Sequence, residues 1–239
     1  MTNTILHKAN SRGHAHHGWL DSYHTFSFAN YYNSERVHFG ALRVLNDDRI
    51  DAGMGFGKHP HDNMEIISIP LSGDLEHKDS MGNIAVIKSG DIQVMSAGTG
   101  ITHSEYNKNA DSEGKFLQIW VFPNKQNVKP RYMQITLNLQ DRQNRLQQVV
   151  SPFAEDEGVW IHQDAWFYMG IFDKDIVVGY TFNQPGNGVY VFVITGQFTI
   201  NQIDLDERDG LGITNTPNVS IKSNKNGSEV LIMEVPMKF

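Results

Sequence analysis

The chain contains no cysteine. Disulfides, thiolate catalysis and cysteine-built zinc sites are therefore excluded. Long apolar runs are also missing, and no segment approaches the roughly 20 residues that a membrane-spanning helix needs. The opening MTNTILHKANSRGH has no apolar stretch of the kind a secretory leader carries. These absences set the expectation of a cytoplasmic protein with no membrane partner. Basic charge is in deficit, with 20 Lys and Arg against 27 Asp and Glu and a net charge of −7. That balance argues against binding nucleic acid through a broad basic surface. Helical periodicity is scarce too. SPFAEDEG, residues 151–158, offers at most one short turn of helix.

What is present has a period of two. The segments IISIPLSG (66–73), IAVIKSGDIQVM (84–95), FLQIWVFP (116–123) and VYVFVITGQFTI (189–200) read as strands ended by Gly, Pro or Asn. Many short strands with frequent turn signals predict an all-β sandwich or barrel. A degenerate repeat is visible. LSGDLEH (71–77) and KSGDIQV (88–94) in the first half find counterparts in ITGQFTI (194–200) and ERDGLGI (207–213). Two related β-domains follow, 1–130 and 131–239, with the break near the polar stretch 124–134. Aligning Gly73 with Gly196 sets Phe182 and Gln184 opposite His59 and His61. The second half thus lacks the first half's candidate ligands.

Ten of the eleven histidines precede residue 104. His59 and His61 stand at i and i+2, which on a strand places them on one face about 6–7 Å apart. Two imidazoles so placed can converge on one ion at about 2.1 Å from each nitrogen. Glu65 has the same parity. In GTGITHSEYN (98–107), His103 and Glu105 again share parity after a strand and a glycine-rich turn. A lone H-x-H in a strand is commonly a surface or hydrogen-bonded pair. Two such clusters within one β-repeat instead point to a divalent site, with iron(II), copper, nickel, manganese and zinc all compatible. Parity leaves Glu65 and Glu105 both open as the carboxylate.

The motif G-x5-H-x-H-x3-E, followed by a Gly-rich turn and a further His, resembles the cupin motif pair. More closely, the first half resembles the pirins, through HGWLDSYHTFSFANYY (17–32), LRVLNDDRI (42–50), GFGKHPHDNMEII (55–67), LEHKDSMGN (75–83), MSAGTGITHSEYN (95–107) and FLQIWVFP (116–123). The second half resembles them more loosely, through QDAWFYMG (163–170) and VITGQFTIN (193–201). The resemblance implies two tandem cupin (jelly-roll) barrels packed face to face, a monomer, and iron(II) held in the first barrel by His59, His61, His103 and Glu105. It also implies a flavonol (quercetin) 2,3-dioxygenase that takes a flavonol-like substrate and dioxygen, with Glu105 as general base. A non-catalytic, iron-dependent regulatory or protein-interaction module is the alternative, and another cupin activity is a third reading.

Other residues carry plainer expectations. Glu65 orients a ligand or lines the barrel mouth. Arg43, Asn46, Asp47 and Asp48 form a turn whose side chains bond its own backbone, with substrate contact the lesser alternative. His14, His16 and His17 lie in a solvated N-terminal segment near the mouth. Trp19, Tyr23, Phe26 and Phe28 are core, His77 is structural, and Gly98 and Gly100 serve a tight turn.

Overall fold

The structure is a computed structural model and describes residues 2–239. Among these residues helix is confined to two 3-10 turns, Ala9–Ser11 and Leu139–Arg142. Residues 152–158 form bends and turns instead of helix. No helix among the described residues is long and apolar enough to cross a membrane.

The chain folds as two sandwiches, each pairing a seven-stranded with a four-stranded sheet. In the first, the large sheet centres on Glu65–Ser72, Gly114–Val121 and Leu42–Ile50. The small sheet runs in the order Gly55–His61, Ile101–Asn107, Leu75–Asp79 and Ile84–Ile87. The second sandwich repeats this plan. Its small sheet runs Val177–Thr181, Asn218–Ser223, Gln197–Ile200 and Ile203–Asp206. Gly73 and Gly196 occupy the same hairpin corner in the two copies. Both take positive φ, 75° and 81°, which only glycine adopts at little cost.

The central strands are buried on both faces, which explains their almost continuous apolar runs. Along Gly114–Val121, the residues Leu117, Ile119 and Val121 point to the core between the sandwiches. Phe116, Gln118 and Trp120 have the opposite parity and point into the first barrel. The shared core draws Leu45, Ile67 and Val94 from one large sheet and Phe167, Phe192 and Met233 from the other. The two seven-stranded sheets therefore pack face to face, each buried large side chain contributing about 1.5–3 kcal/mol.

Two strands cross between the halves. Asn3–His7 pairs with Gly210–Thr214 in the second sandwich, and Arg131–Thr136 pairs with Asp91–Ser96 in the first. Arg131 adds a polar clamp. It donates to Ser96 Oγ at 3.1 Å and to the Trp160 carbonyl, and its guanidinium lies 3.7 Å above the Trp160 ring.

The two interiors differ in chemistry. The second barrel is filled with Val189, Val191, Phe198, Ile221, Ile232 and similar side chains. Inside the first, apolar residues split into two small clusters, one around Phe116 and one around Ile66 and Met95. Gln118 stands between Phe116 and Trp120 on its strand, and His77, His103, Glu105 and Ser68 are all buried. A polar belt of this kind is costly unless it is hydrogen-bonded or holds an ion.

Candidate metal centre

His59 and His61 lie on Gly55–His61, which pairs antiparallel with Ile101–Asn107 so that His103 stands directly opposite His59. The register shifts between His103 and Glu105. Ligand atoms of His59, His61 and His103 all come within 4.8 Å of one another. Their ring centroids are 4.4–4.9 Å apart. Gly57 O lies 2.8 Å from His59 Nδ1, which fixes that nitrogen as the N–H and leaves Nε2 as the free lone pair. His103 Nε2 is buried with no hydrogen-bond partner. An orphaned imidazole nitrogen facing two other imidazoles is what a divalent ion needs. Burial, with neighbouring imidazoles adding to it, pushes the His61 pKa down to about 4 and that of His103 to about 2. Both rings are therefore neutral near pH 7, the state that ligates.

Glu105 joins a second group, with His77 and His103, whose ligand atoms also lie within 4.8 Å of one another. Its carboxylate accepts from Ser68 Oγ at 3.1 Å and from Gln118 Nε2 at 2.9 Å. Burial raises its pKa despite these bonds. A bound cation would favour the ionised form. Imidazoles with a carboxylate close by suit a first-row divalent ion, and here the carboxylate is grouped with His77 and His103, apart from the atoms that His59, His61 and His103 bring together. His103 belongs to both groups and links the histidine cluster to Glu105.

His77 holds a position that its isolation in the sequence did not suggest. Its Nδ1 is 3.4 Å from His103 Nδ1, and its Nε2 is 3.2 Å from Asp79 Oδ2. Burial alone would raise the Asp79 carboxyl, but hydrogen bonds from Asn83, His77 and Met81 outweigh it and hold the pKa below the usual value. Ionised Asp79 can only accept, so His77 Nε2 carries the hydrogen. In that tautomer His77 Nδ1 is bare and accepts from His103 Nδ1–H, and His103 Nε2 is left free for an ion. Such carboxylate–histidine relays set ligand tautomers in metal sites. Asp79→Asn, which lets an amide N–H face His77 and reverse the relay, is expected to weaken metal binding about 10–100-fold. Competition with a chromophoric chelator measures this.

The remaining sequence expectations divide. Glu65 lies on the other sheet, because the chain reverses at Asn63 (φ 43°). It faces away from the histidines and accepts from Ser96 Oγ at 2.7 Å, and burial pushes its pKa up to about 7. Asn46, Asp47 and Asp48 sit in the strand Leu42–Ile50 and form no turn. Asp47 points outward to Arg12 (3.1 Å) and Arg208 (3.0 Å), while Asn46 and Asp48 are buried on the opposite parity. Arg43 donates to the carbonyls of Ser27 and Val37. His14 is exposed, stacks on Tyr23 and sits 2.5 Å from Asp21. Gly98 (φ 49°) packs so closely that a Cβ would lie 2.0 Å from Val128 O. Phe26 is core, as its type suggests. Trp19 and Phe28, expected to be core, instead line a cavity with His17, Phe56 and Trp120. That cavity encloses about 490 Å³ and opens onto His59 and His61. Its size falls within the usual range for small-molecule sites, about 300–1,000 Å³.

In the second barrel, Val219, Ile221 and Ser223 fill the inward positions of the strand that matches Ile101–Asn107. Gln184 N donates to the buried Glu234. Among the described residues, both ligand groups lie in the first barrel.

Fold and site together define a two-barrel cupin with a candidate metal centre in one barrel. Residues 6–121 match the family model Pirin, and residues 148–235 match that of the quercetinase C-terminal cupin domain. A quercetin 2,3-dioxygenase of Escherichia coli is 45% identical over 97% of this chain and 98% of its own. A pirin-like protein of Caulobacter vibrioides is 35% identical over 92% of this chain and 94% of its own. The crystal structure of the bacterial pirin YhhW from Escherichia coli in complex with nickel(II) superposes with a TM-score of 0.92 at 44% identity, covering 98% of this chain and 99% of that one. The chain belongs to the pirin family.

Proposed function

We propose that the protein is a metal-dependent flavonol 2,3-dioxygenase acting on quercetin-like substrates, with iron(II) as its resident ion. The observation that carries this reading is the buried, unpartnered His103 Nε2 beside His59 and His61, where they meet an aromatic-walled cavity. The quercetin 2,3-dioxygenase named among its relatives, 45% identical, supports the substrate class. His59, His61, His103 and Glu105 would hold the ion. When bound, the ion acts as a Lewis acid that lowers the pKa of a coordinated hydroxyl and stabilises the enolate.

The protein's own groups then have defined tasks. Trp19, Phe28, Phe56 and Trp120 clasp a planar ring and exclude water. Glu105 takes the proton of the flavonol 3-hydroxyl as general base. A carboxyl with a raised pKa in a dry site suits that role. Ser68 and Gln118 keep its two oxygens oriented. The resulting enolate is electron-rich enough to react with dioxygen, which opens the central ring with release of carbon monoxide.

The test is aerobic incubation of the iron-loaded protein with quercetin, following loss of flavonol absorbance and carbon monoxide in the headspace. The expected result is stoichiometric carbon monoxide and multiple turnovers. Saturable quercetin binding without consumption would overturn the catalytic reading and leave a non-catalytic metal module.

A further inference from the structure

The cavity has a second polar region, on the large sheet facing the histidines. His24 and Asn46 stand directly opposite each other on neighbouring strands, as do Ser22 and Asp48. All four are buried and line the cavity. Ser22 Oγ donates to Asp48 Oδ1, and its oxygen lies 2.9 Å from His24 Nε2. Burial raises the Asp48 pKa to about 7; above that pH its carboxylate takes the Ser22 hydrogen, and the hydroxyl accepts from His24 Nε2–H. His24 Nδ1 is then a bare acceptor. Burial, with His14, Arg12 and His17 adding to it, pushes the His24 pKa down to about 4 and keeps the ring neutral.

Three atoms of this lining are buried with no partner among the described residues: His24 Nδ1, Asn46 Oδ1 and Trp120 Nε1. Buried polar atoms are bonded in the great majority of cases, so each orphan marks a place where a partner is missing. Nothing in the metal chemistry uses them. Two are acceptors set side by side, since directly opposed positions on antiparallel strands hold their Cβ atoms about 4.5–5.5 Å apart.

We propose that His24 and Asn46 are paired acceptors for neighbouring phenolic hydroxyls on the side ring of the bound flavonol, with Ser22 and Asp48 as positioning residues that fix His24. The site thereby selects flavonols with a vicinal dihydroxy side ring over those with a bare one. This inference rests on the flavonol reading above. The residues that would hold the ion lie toward the 3-hydroxyl end of the molecule, and the wall of the large sheet reads the other end.

The test compares two ligands on the full-length, iron-loaded protein under anaerobic conditions, with affinity read from tryptophan fluorescence quenching. Quercetin carries the vicinal pair, and galangin has the same 3,5,7-trihydroxy core with a bare side ring. The variants are Asn46→Leu, close in shape but without the amide, and His24→Phe, which keeps a ring without the acceptor. Each is expected to lower quercetin affinity about tenfold, equivalent to one lost hydrogen bond of about 1.4 kcal/mol. Affinity for galangin should change less than about twofold, which also shows that each variant is folded and loaded. Equal losses for both ligands would mean that the wall only shapes the cavity, and no loss for quercetin would mean that water satisfies these atoms. Either result overturns the inference alone. Loaded wild-type protein that binds neither ligand would instead overturn the flavonol reading itself.

Discussion

Replacing His103 with alanine is expected to strip the metal and abolish flavonol turnover. Structural sites of four ligands bind zinc with about 10–16 kcal/mol, so one ligand carries roughly 3 kcal/mol, a hundredfold or more in affinity. His103 should exceed that share. It is the one residue common to both ligand groups, and its ring orientation is fixed by His77 and Asp79. The same change leaves the buried His77 Nδ1 without its neighbour, so some stability is lost as well. His59→Ala is the cleaner companion, because His59 is only half-buried and its ring leans on a single carbonyl, Gly57 O. Both variants should show metal content well below that of the wild type after desalting, and turnover no higher than that of metal-free protein. His59→Ala should keep a melting temperature close to that of the metal-free wild type. A His103→Ala variant that holds a full equivalent of metal would remove the ion from this position.

Glu105→Gln is expected to separate metal binding from chemistry. The amide has nearly the same shape and can still accept from Ser68 Oγ through its oxygen. It cannot accept a proton, and its NH2 group confronts the Gln118 Nε2 donor unless that side chain turns over. Loss of a general base lowers turnover about 10²–10⁴-fold. Loss of an anionic ligand weakens the ion less than loss of an imidazole here, because the three histidines remain. The expected pattern is a variant that still takes up iron at high supply, still binds quercetin, and turns it over at least a hundredfold more slowly. If kcat fell only in proportion to metal content, Glu105 would be a ligand and not the base.

The candidate ligand residues were legible in the sequence because strands alternate. His59 with His61, and His103 with Glu105, each share a face whatever the tertiary fold does. The same rule failed at Glu65, where positive φ at Asn63 turns the chain into the other sheet and parity no longer carries across. Asn46 and Asp48 were misread for a different reason. Asn-Asp-Asp is turn-like by composition, but in Leu42–Ile50 pairing on both edges overrides that tendency and turns two of the three side chains into the barrel. His77 gave no local sign at all. Its importance depends on Leu75–Asp79 pairing with Ile101–Asn107, a contact that no short pattern encodes. The strand exchanges are equally silent, since Asn3–His7 finds its partner about 200 residues away. Trp120 was readable in principle, because it shares parity with Phe116 and Gln118. Its surroundings made it resemble any buried aromatic.

The measurement that bears most directly on the central claim is iron content together with X-ray absorption at the iron edge. Protein stripped by chelator is reloaded anaerobically with iron(II) and desalted. The wild type should retain one iron per chain, with outer-shell scattering from three imidazoles, and the His59→Ala, His103→Ala double variant should retain almost none. Wild-type protein that keeps no iron, or a double variant that keeps a full equivalent with the same spectrum, would contradict it.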